Sequence, residues 1–435
     1  MYIKILYLFL SILLSFSALA ETELTIYAKS KFSLDDIGSL NPIDSPIDGY
    51  DKDNTFYPDP FGNDEILFSI NSNNYSDYIE YLTPGQVKMF EFYSSTFVMN
   101  VYSSRRSCSV PKEVLELSKN GNAKLVDNGE GIEGVVGSIP FTNATEPLHH
   151  VWNHILRYRG VNIEGSSPYY IVEYTGTKLM GAGMVVAINY WNPFIKDKNG
   201  DGLQGMIMSK VTHPPRLADA GVLVIESLNA FRTPRRAWVY SPATRRVRRA
   251  PDIAYDNYNQ FTRGLTTVDS YDGFNGAKDR YEWSNIGTEL KFLPYNSYKF
   301  YNAKHKELLT PQHVNQEYVR YELVRVNIVG ADLKKDKRHI LPHRVMYFDF
   351  DSHNMIAEDI YDGKMNLIRY REMPIMNFYD QPMCNKIHSA TYDFATRQYI
   401  LNNVQSIDVP KVSWRLKKPH NVKSFTPAGF KRWAK

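Results

Sequence analysis

The segment RAWVYSPATRRVRRAPDIAYD, Arg236 to Asp256, holds the residue types with the most chemical content in this chain. Arg236, Trp238 and Tyr240 alternate onto one side of a strand, with Ala237 and Val239 on the other. Ser241-Pro242-Ala243-Thr244 supplies turn residues, and a return strand brings Arg245, Arg246, Val247, Arg248 and Arg249. Aromatic faces beside clustered guanidinium groups suit a ligand with an apolar part and an anionic part. No residue in the segment is an obvious nucleophile or general base. It reads as a binding surface. Two structural alternatives stand beside that reading: Trp238 and Tyr240 as ordinary core, and the arginines neutralised internally by Asp252, Asp256, Asp269, Asp272 and Asp279.

Other constellations carry less. His150 and His154 sit at i and i+4, a metal-binding spacing, but without an adjacent Glu or a third ligand they read as a helix-surface pair. Asp197-x-Asn199-x-Asp201-Gly202 resembles the front of a calcium loop, yet Met208 stands where Glu is required, so a polar hairpin turn is expected. Asp349 and Asp351 could do acid–base work, but they precede the turn Ser352-His353-Asn354, where Asp satisfies backbone donors. The chain has no G-x-S-x-G, H-E-x-x-H, P-loop or G-x-G-x-x-G. The expectation is a non-enzyme with no metal and no cofactor.

The first twenty residues, MYIKILYLFLSILLSFSALA, have the positive start, apolar core and Ala18-x-Ala20 ending of a secretory signal peptide cleaved after Ala20. No Cys follows that site, and no later run reaches about 18 apolar residues. The expected location is periplasmic, free or peripheral at the inner or outer membrane. The formal net charge of +4 loses only Lys4 on processing, which gives no global case for nucleic-acid binding. The basic residues are uneven, however. Seven Arg lie between Arg232 and Arg249, and eight Lys or Arg follow Asp408 with no acid. Either these are solvated faces or they meet an anionic headgroup, membrane surface or acidic partner. Cys108 and Cys384 can form one disulfide in an oxidising compartment, or stay as two buried thiols. Aromatic content of 14 %, with 31 Tyr, suits half-buried sheet faces or the wall of an apolar cavity.

These residues need positioning elements. Residues 21–80 have little periodicity and read as an extended, loop-rich arm. Thr83-Pro84-Gly85-Gln86 starts a helix over 83–93, and a second is expected over 112–119. A third, 145–159, is capped by Thr145 and places Leu148, Val151, Trp152, Ile155 and Tyr158 on one apolar face. From Tyr169 onward the period is two, with strands expected at 169–174, 183–191, 204–213, 222–228, 237–241 and 246–249. More follow at 318–329, 339–350, 355–361, 367–373, 387–393 and 398–402. So many antiparallel strands in series tend to curl into a barrel or half-barrel. The apolar phase of 318–329 slips by one residue, which suggests a bulge. The interval 250–298 shows no clear element and reads as an ordered excursion.

Long stretches resemble a family of exported bacterial proteins of unassigned function, related to the Lol outer-membrane lipoprotein-sorting carriers. They include YPDPFGNDEILFSI (57–70), GIEGVVGSIPF (131–141), VWNHILRYRG (151–160), PPRLADAG (214–221) and PRRAWVYSPATRRVRRAPDIAYDN (234–257). GLTTVDSYDGFNGAKDRYEW (264–283), LPYNSYK (293–299) and YVRYELVRVNIVGADLKKDKRHILPHRVMYFDFDS (318–352) match as well. Trp238, Tyr240 and Pro242 match a Trp-x-Tyr-x-Pro strand of the Lol carriers. The chain departs from those carriers in its roughly doubled length, its arm and its arginine-rich return strand. The resemblance implies an α+β fold, Lol-carrier-like, in which a strongly curved, unclosed antiparallel sheet (a half-barrel) wraps over helices within residues 81–435. It also implies traffic in a lipid or other hydrophobic molecule. A resistance-nodulation-type exporter or an outer-membrane β-barrel is the implied partner.

Together these readings give a carrier for an acyl-chain-bearing ligand. The expected lining is Trp152, Ile155, Val186, Ile188, Trp238, Tyr240, Met346 and Phe348, with Arg246 and Arg248 on the anionic head and Arg245 and Arg249 on a partner or headgroup surface. An accessory protein docking an exporter or barrel is the alternative, and a lipid-ester hydrolase is a weaker third.

Overall fold

The computed structural model describes residues 32–51, 56–189, 202–250, 257–259, 262–409, 412–415 and 421–435. The expected signal peptide, the first part of the arm and the loop Asp197 to Asp201 lie outside the described residues. The rest of the arm is loop-rich but woven into the core. Tyr57 and Ile37 are buried, Phe32 meets Tyr81 and Phe292 edge-on, and the Tyr50 and Tyr57 hydroxyls donate to Asp380. The arm's strand β1 (Phe68–Ile70) pairs with β2 (Met99–Tyr102).

Helix α1 (Pro84–Phe92) begins where its sequence dictates: Thr83 Oγ1 accepts the Gln86 N–H and Gln86 Oε1 accepts the Thr83 N–H. Helix α2 spans Lys112–Lys119 and is followed by the small hairpin β3 (Lys124–Val126) and β4 (Gly131–Glu133). Helix α3 is Pro147–Leu156, a turn shorter than expected. Glu146, not Thr145, is its N-cap, because Pro147 takes the first helical position; Tyr158 falls beyond its end and joins a different apolar cluster.

The expected meander follows as β5 (Asn162–Val172), β6 (Lys178–Asn189), β7 (Leu203–His213), β8 (Gly221–Ser227), β9 (Arg236–Ser241) and β10 (Arg246–Arg249). The interval read as elementless holds the longest strand of the described chain, β11 (Tyr281–Pro294), which pairs along its length with β12 (Tyr321–Leu333). Its middle is polar and exposed, and Gly287 interrupts the alternation, so period two is hidden. The bulge expected in 318–329 lies on β11 instead, where Ile286 is the extra residue opposite Ile328 and Val329. Strand β12 is buried on both faces, and that produced its apparent phase slip. Two short helices, α4 (Tyr298–Asn302) and α5 (His305–Leu308), lie between these strands.

The chain continues through β13 (His343–Asp349), β14 (Met355–Tyr361), β15 (Leu367–Glu372), the hairpin β16 (Ile375–Phe378) and β17 (Met383–Lys386), β18 (Ser389–Asp393) and β19 (Gln398–Asn402). Strand β20 (Val412–Arg415) and helix α6 (Pro427–Ala434) complete it. The described residues form one sixteen-stranded sheet whose path runs β1-β2-β12-β13-β14-β15-β18-β19-β5-β6-β7-β8-β9-β10, with β11 on β12 and β20 on β5. Its ends do not pair with each other, so the curved sheet is unclosed. It is antiparallel throughout that path except at the parallel β2/β12 junction, which makes it mixed.

Cys108 and Cys384 form the disulfide, with Cα atoms 5.4 Å apart and 276 residues between them. Closing so long a loop is worth about 5 kcal/mol on the chain-entropy model. A Cys108→Ser/Cys384→Ser variant is expected to lose about 2–5 kcal/mol of stability, read as a lower urea midpoint. An unchanged midpoint would contradict it.

A second prediction concerns Asp359, which accepts the Gly85 N–H and the Tyr347 hydroxyl, each at 2.8 Å. Burial pushes its pKa up from 3.8 to about 7. A carboxyl raised by folding favours the folded state fully below its unfolded value and loses that contribution as pH rises through its folded one. Asp359→Asn should therefore gain in thermal midpoint relative to wild type as pH rises from about 4 to about 7, and a pH-independent difference would refute this.

Candidate functional site

Directly opposed residues of paired antiparallel strands project to the same face, and so do residues two apart. From Met346 on β13 the face passes to Glu358, Arg371, Thr391, Ile400 and Ile171 across β14, β15, β18, β19 and β5. Steps of two along β6, from Leu179 opposite Ile171, reach Val185 and Ala187. The same face continues through Ile207, then Val222 and Val224, then Val239, to Arg246 and Arg248 on β10. Helix α3 packs on this face: Trp152 and Ile155 share an apolar cluster with Met346, Phe348 and Phe274. It is the α3 face.

The expected lining residues divide between the two faces. Trp152, Ile155, Met346 and Phe348 pack together beneath α3, where the Trp152 indole N–H donates to Gly129 O and the Lys278 ammonium stands over its ring. Val186, Ile188, Trp238 and Tyr240 project to the opposite face and pack with Leu223, Ile225 and, from the C-terminal segment, Phe425 and Phe430. Tyr240 meets Phe430 edge-on, ring centroids 6.5 Å apart. These four are core under α6 and do not meet the α3 set. Alternation shows which residues of one strand share a side, but the matching between strands comes from register.

Arg246 and Arg248 are on the α3 face, away from Trp238 and Tyr240; the guanidinium opposite Trp238 is that of Arg249. Arg245, Arg246, Arg248 and Arg249 are all exposed. The aspartates considered for neutralising them are engaged elsewhere. Asp269 holds Arg344 at 2.7 Å, Asp279 holds Lys337 at 3.1 Å, and Asp272 holds Arg157, Arg159 and Lys386. Asp252 and Asp256 lie outside the described residues.

Among the described residues the α3 face holds a small cleft and a strip. The cleft, about 30 Å³, is lined by Ile155, Arg159, Ala187, Ile207, Asp272 and Phe274 among others. That volume holds about one or two waters, so no acyl chain fits inside it. The strip starts at Ile207 on the cleft wall and runs across Val185, Val222, Val224 and Val239 to the exposed Arg246 and Arg248. Its five aliphatic side chains are only half-buried.

The cleft's electrostatics were not legible in the sequence. Arg157 Nη1 and Nη2 donate to the Asp272 carboxylate at 2.9 Å each, and Arg159 and Lys386 donate to the same carboxylate. Those three cations hold Asp272 well below the usual carboxylate range despite its burial. Burial pushes Lys386 down to about 8, Asp272 opposing and Arg157 and Arg159 adding to it. Arg157 and Arg159 flank Tyr158 at the end of α3, where an i, i+2 arginine pair ordinarily reads as solvated. Their carboxylate lies more than a hundred residues away, so no local spacing announces it.

The histidine and aspartate pairs resolve simply. His154 is buried, not on a helix surface. Its Nδ1 accepts the Met355 N–H at 3.0 Å and its Nε2–H donates to Asp272 O at 2.7 Å, leaving neither nitrogen for a metal. Asp349 accepts the Ser352 N–H at 2.8 Å, as turn chemistry requires, and Asp351 holds Arg106 at 2.7 Å. Among the described residues no group of three His, Cys, Asp or Glu could hold a metal, and no helix is long and apolar enough to cross a membrane.

Comparison with known proteins adds the following. Residues 69–431 match a family model described as "Protein of unknown function (DUF1329)". An uncharacterized protein of Pseudomonas aeruginosa, PA3922, is 34 % identical over 387 residues, covering 87 % of this chain and 84 % of that protein. A DUF1329 family protein from Desulfovibrio piger superposes with a TM-score of 0.44 at 14 % identity, over 66 % of this chain and 100 % of its own. A LolA superfamily protein from Nitrosomonas europaea gives 0.38 at 8 % identity, over 65 % and 98 %.

The separation of the two faces sets a mutational contrast. Phe430, on α6, is fully buried against the sheet face opposite α3, so Phe430→Ala is expected to cost about 3–5 kcal/mol. Val239→Ser, on the half-buried strip of the other face, should cost no more than about 1 kcal/mol. Equal losses in chemical denaturation would refute the assignment of faces.

Proposed function

The chain belongs to the DUF1329 family, a family of unassigned function, and from that premise we propose that it is a periplasmic carrier for an acyl-chain-bearing hydrophobic ligand. The observation that carries this reading is the strip of Val185, Ile207, Val222, Val224 and Val239. It is contiguous, half-buried and aliphatic but for Ser209, which lies between Val185 and Val222, and it is confined to one face of the four neighbouring strands β6 to β9 beside their β10 edge. Covering ten methylenes is worth about 8 kcal/mol before the costs of association, so the chain would supply most of the affinity. The 30 Å³ cleft is too small for an acyl chain, so the ligand would lie along the strip and not within that cleft. The sequence resemblance to Lol carriers supports the same reading. The role is binding without turnover: acyl esters offered to the protein should be recovered unhydrolysed.

A second reading has its own observation. Arg245, Arg246, Arg248 and Arg249 are exposed at the free end of the sheet, with no carboxylate at ion-pair distance among the described residues. Such an edge suits an acidic surface on an exporter or outer-membrane barrel.

Protein purified from its native compartment is expected to release lipid on extraction, and Val224→Asp should lower binding of a fluorescent fatty acid at least about tenfold with the fold intact. Native mass spectra showing only apo protein, with no fatty-acid binding, would refute the carrier. Replacing all four arginines by Gln separates the readings: loss of partner pull-down with lipid binding intact favours docking.

A further inference from the structure

The closed end of the strip carries a charge imbalance. Arg157, Arg159 and Lys386 all donate to the single carboxylate of Asp272. The next acid on the cleft wall, Glu226, is matched by its own partner, Arg235. Among the described residues two buried arginines and the largely buried Lys386 therefore share one anion, and an excess of enclosed positive charge is costly unless an anion answers it. Elsewhere on this face the cations are matched: Arg344 and Arg371 share Glu358 and Asp269, and Lys278 has Glu130.

Arg159 marks where the answering anion fits. Only 8 % of it is exposed, it lines the cleft, and its Nε has no hydrogen-bond partner among the described residues. Its Nη1 and Nη2 are used on Asp272 and on Ile155 O. Asn189, Gln204 and Asn275 add amide groups to the same wall, beside Ile155, Ala187, Ile207 and Phe274. The cleft's 30 Å³ admits a compact two-oxygen head. Ile207 belongs to both the cleft and the strip. A head seated at Arg159 thus leaves its chain on the valines.

We propose that Arg159, backed by Arg157 and Lys386, seats the carboxylate head of an acyl-chain ligand. The proposal rests on the carrier reading and refines it: the ligand is a carboxylate amphiphile, and its head binds at the buried cluster instead of at the exposed Arg246 and Arg248.

The test uses the delipidated full-length mature chain and competition of hexadecanoate and hexadecanol against an apolar fluorescent probe. Wild type is expected to prefer hexadecanoate by about tenfold or more, the worth of one charge-assisted hydrogen bond. Arg159→Gln should bring the two ligands within about twofold by weakening hexadecanoate alone, and Arg159→Lys, which keeps the charge, should retain part of the preference. Arg246→Gln/Arg248→Gln should leave it intact. Equal affinities in wild type, a preference that survives Arg159→Gln, or one lost only in the Arg246/Arg248 variant would overturn the proposal. If neither amphiphile binds, the carrier reading fails, and acetate judges the cluster alone. Thermal stabilisation by acetate in wild type but not in Arg159→Gln keeps an anion seat there; no stabilisation overturns that too.

Discussion

A sheet whose ends stay apart cannot cover its apolar residues by closing on itself, so the chain's own segments must cover them, and that requirement organises the molecule. Closure into a barrel would let inward residues cover one another; here nothing does that automatically. On one face the cover comes from the arm, α1 and the C-terminal helix α6, pieces drawn from both ends of the chain. On the other it comes from α3 and the 262–280 excursion. The Cys108–Cys384 bridge joins the segment after β2 to β17, and so ties the early part of the chain to the late strands.

The excursion is poor in apolar groups, with Leu265 and Phe274 as its main buried ones. Polar contacts hold it instead. Asp269 takes Arg344, Asp272 takes Arg157, Arg159 and Lys386, and Arg371 donates to Ser270 O and Gly273 O. Buried ion pairs add little net stability over a well-packed apolar isostere, but breaking one is costly. They tie the segment to the end of α3 and to β13, β15 and β17. One consequence is that the cleft inherits a wall of fixed charges.

Strand positions were legible because half-buried strands alternate: all twelve expected strands are present, most within a few residues, although β5 begins seven residues and β6 five residues before the expected starts. Strand β11 escaped because one side of it faces solvent with Glu282, Ser284 and Glu289, and Gly287 breaks the rhythm. The start of α3 was misplaced because Thr145 is a good cap by type, while Pro147 fixes the first turn and hands the cap to Glu146. The lining residues were chosen for apolar chemistry alone, and they divide between the two faces of the sheet. Val186 and Met346 look equivalent in sequence, and only the register through β14, β15, β18, β19 and β5 shows that they face apart. Asp272 could not be found by spacing, since its three cations come from two distant segments.

The strip gains meaning from the contrast within single strands. On β6 to β9, Val186, Met206, Met208, Leu223, Ile225 and Tyr240 are buried under α6, while their immediate neighbours Val185, Ile207, Val222, Val224 and Val239 are left half-open. Folding does not require those neighbours to be aliphatic, because a half-wet face of an antiparallel sheet accepts Thr, Ser or Lys at little cost. Scattered exposed valines need no explanation, but a contiguous patch on adjacent strands is a liability for association unless something uses or guards it. Part of the guard is visible: β10 ends the sheet with Arg246 and Arg248 on the same face and Arg249 on the other. Charges on an edge strand oppose edge-to-edge pairing. The arginines that dominate the sequence can thus protect the open edge whatever the ligand is, and the aliphatic strip beside them is the feature that folding alone leaves unexplained.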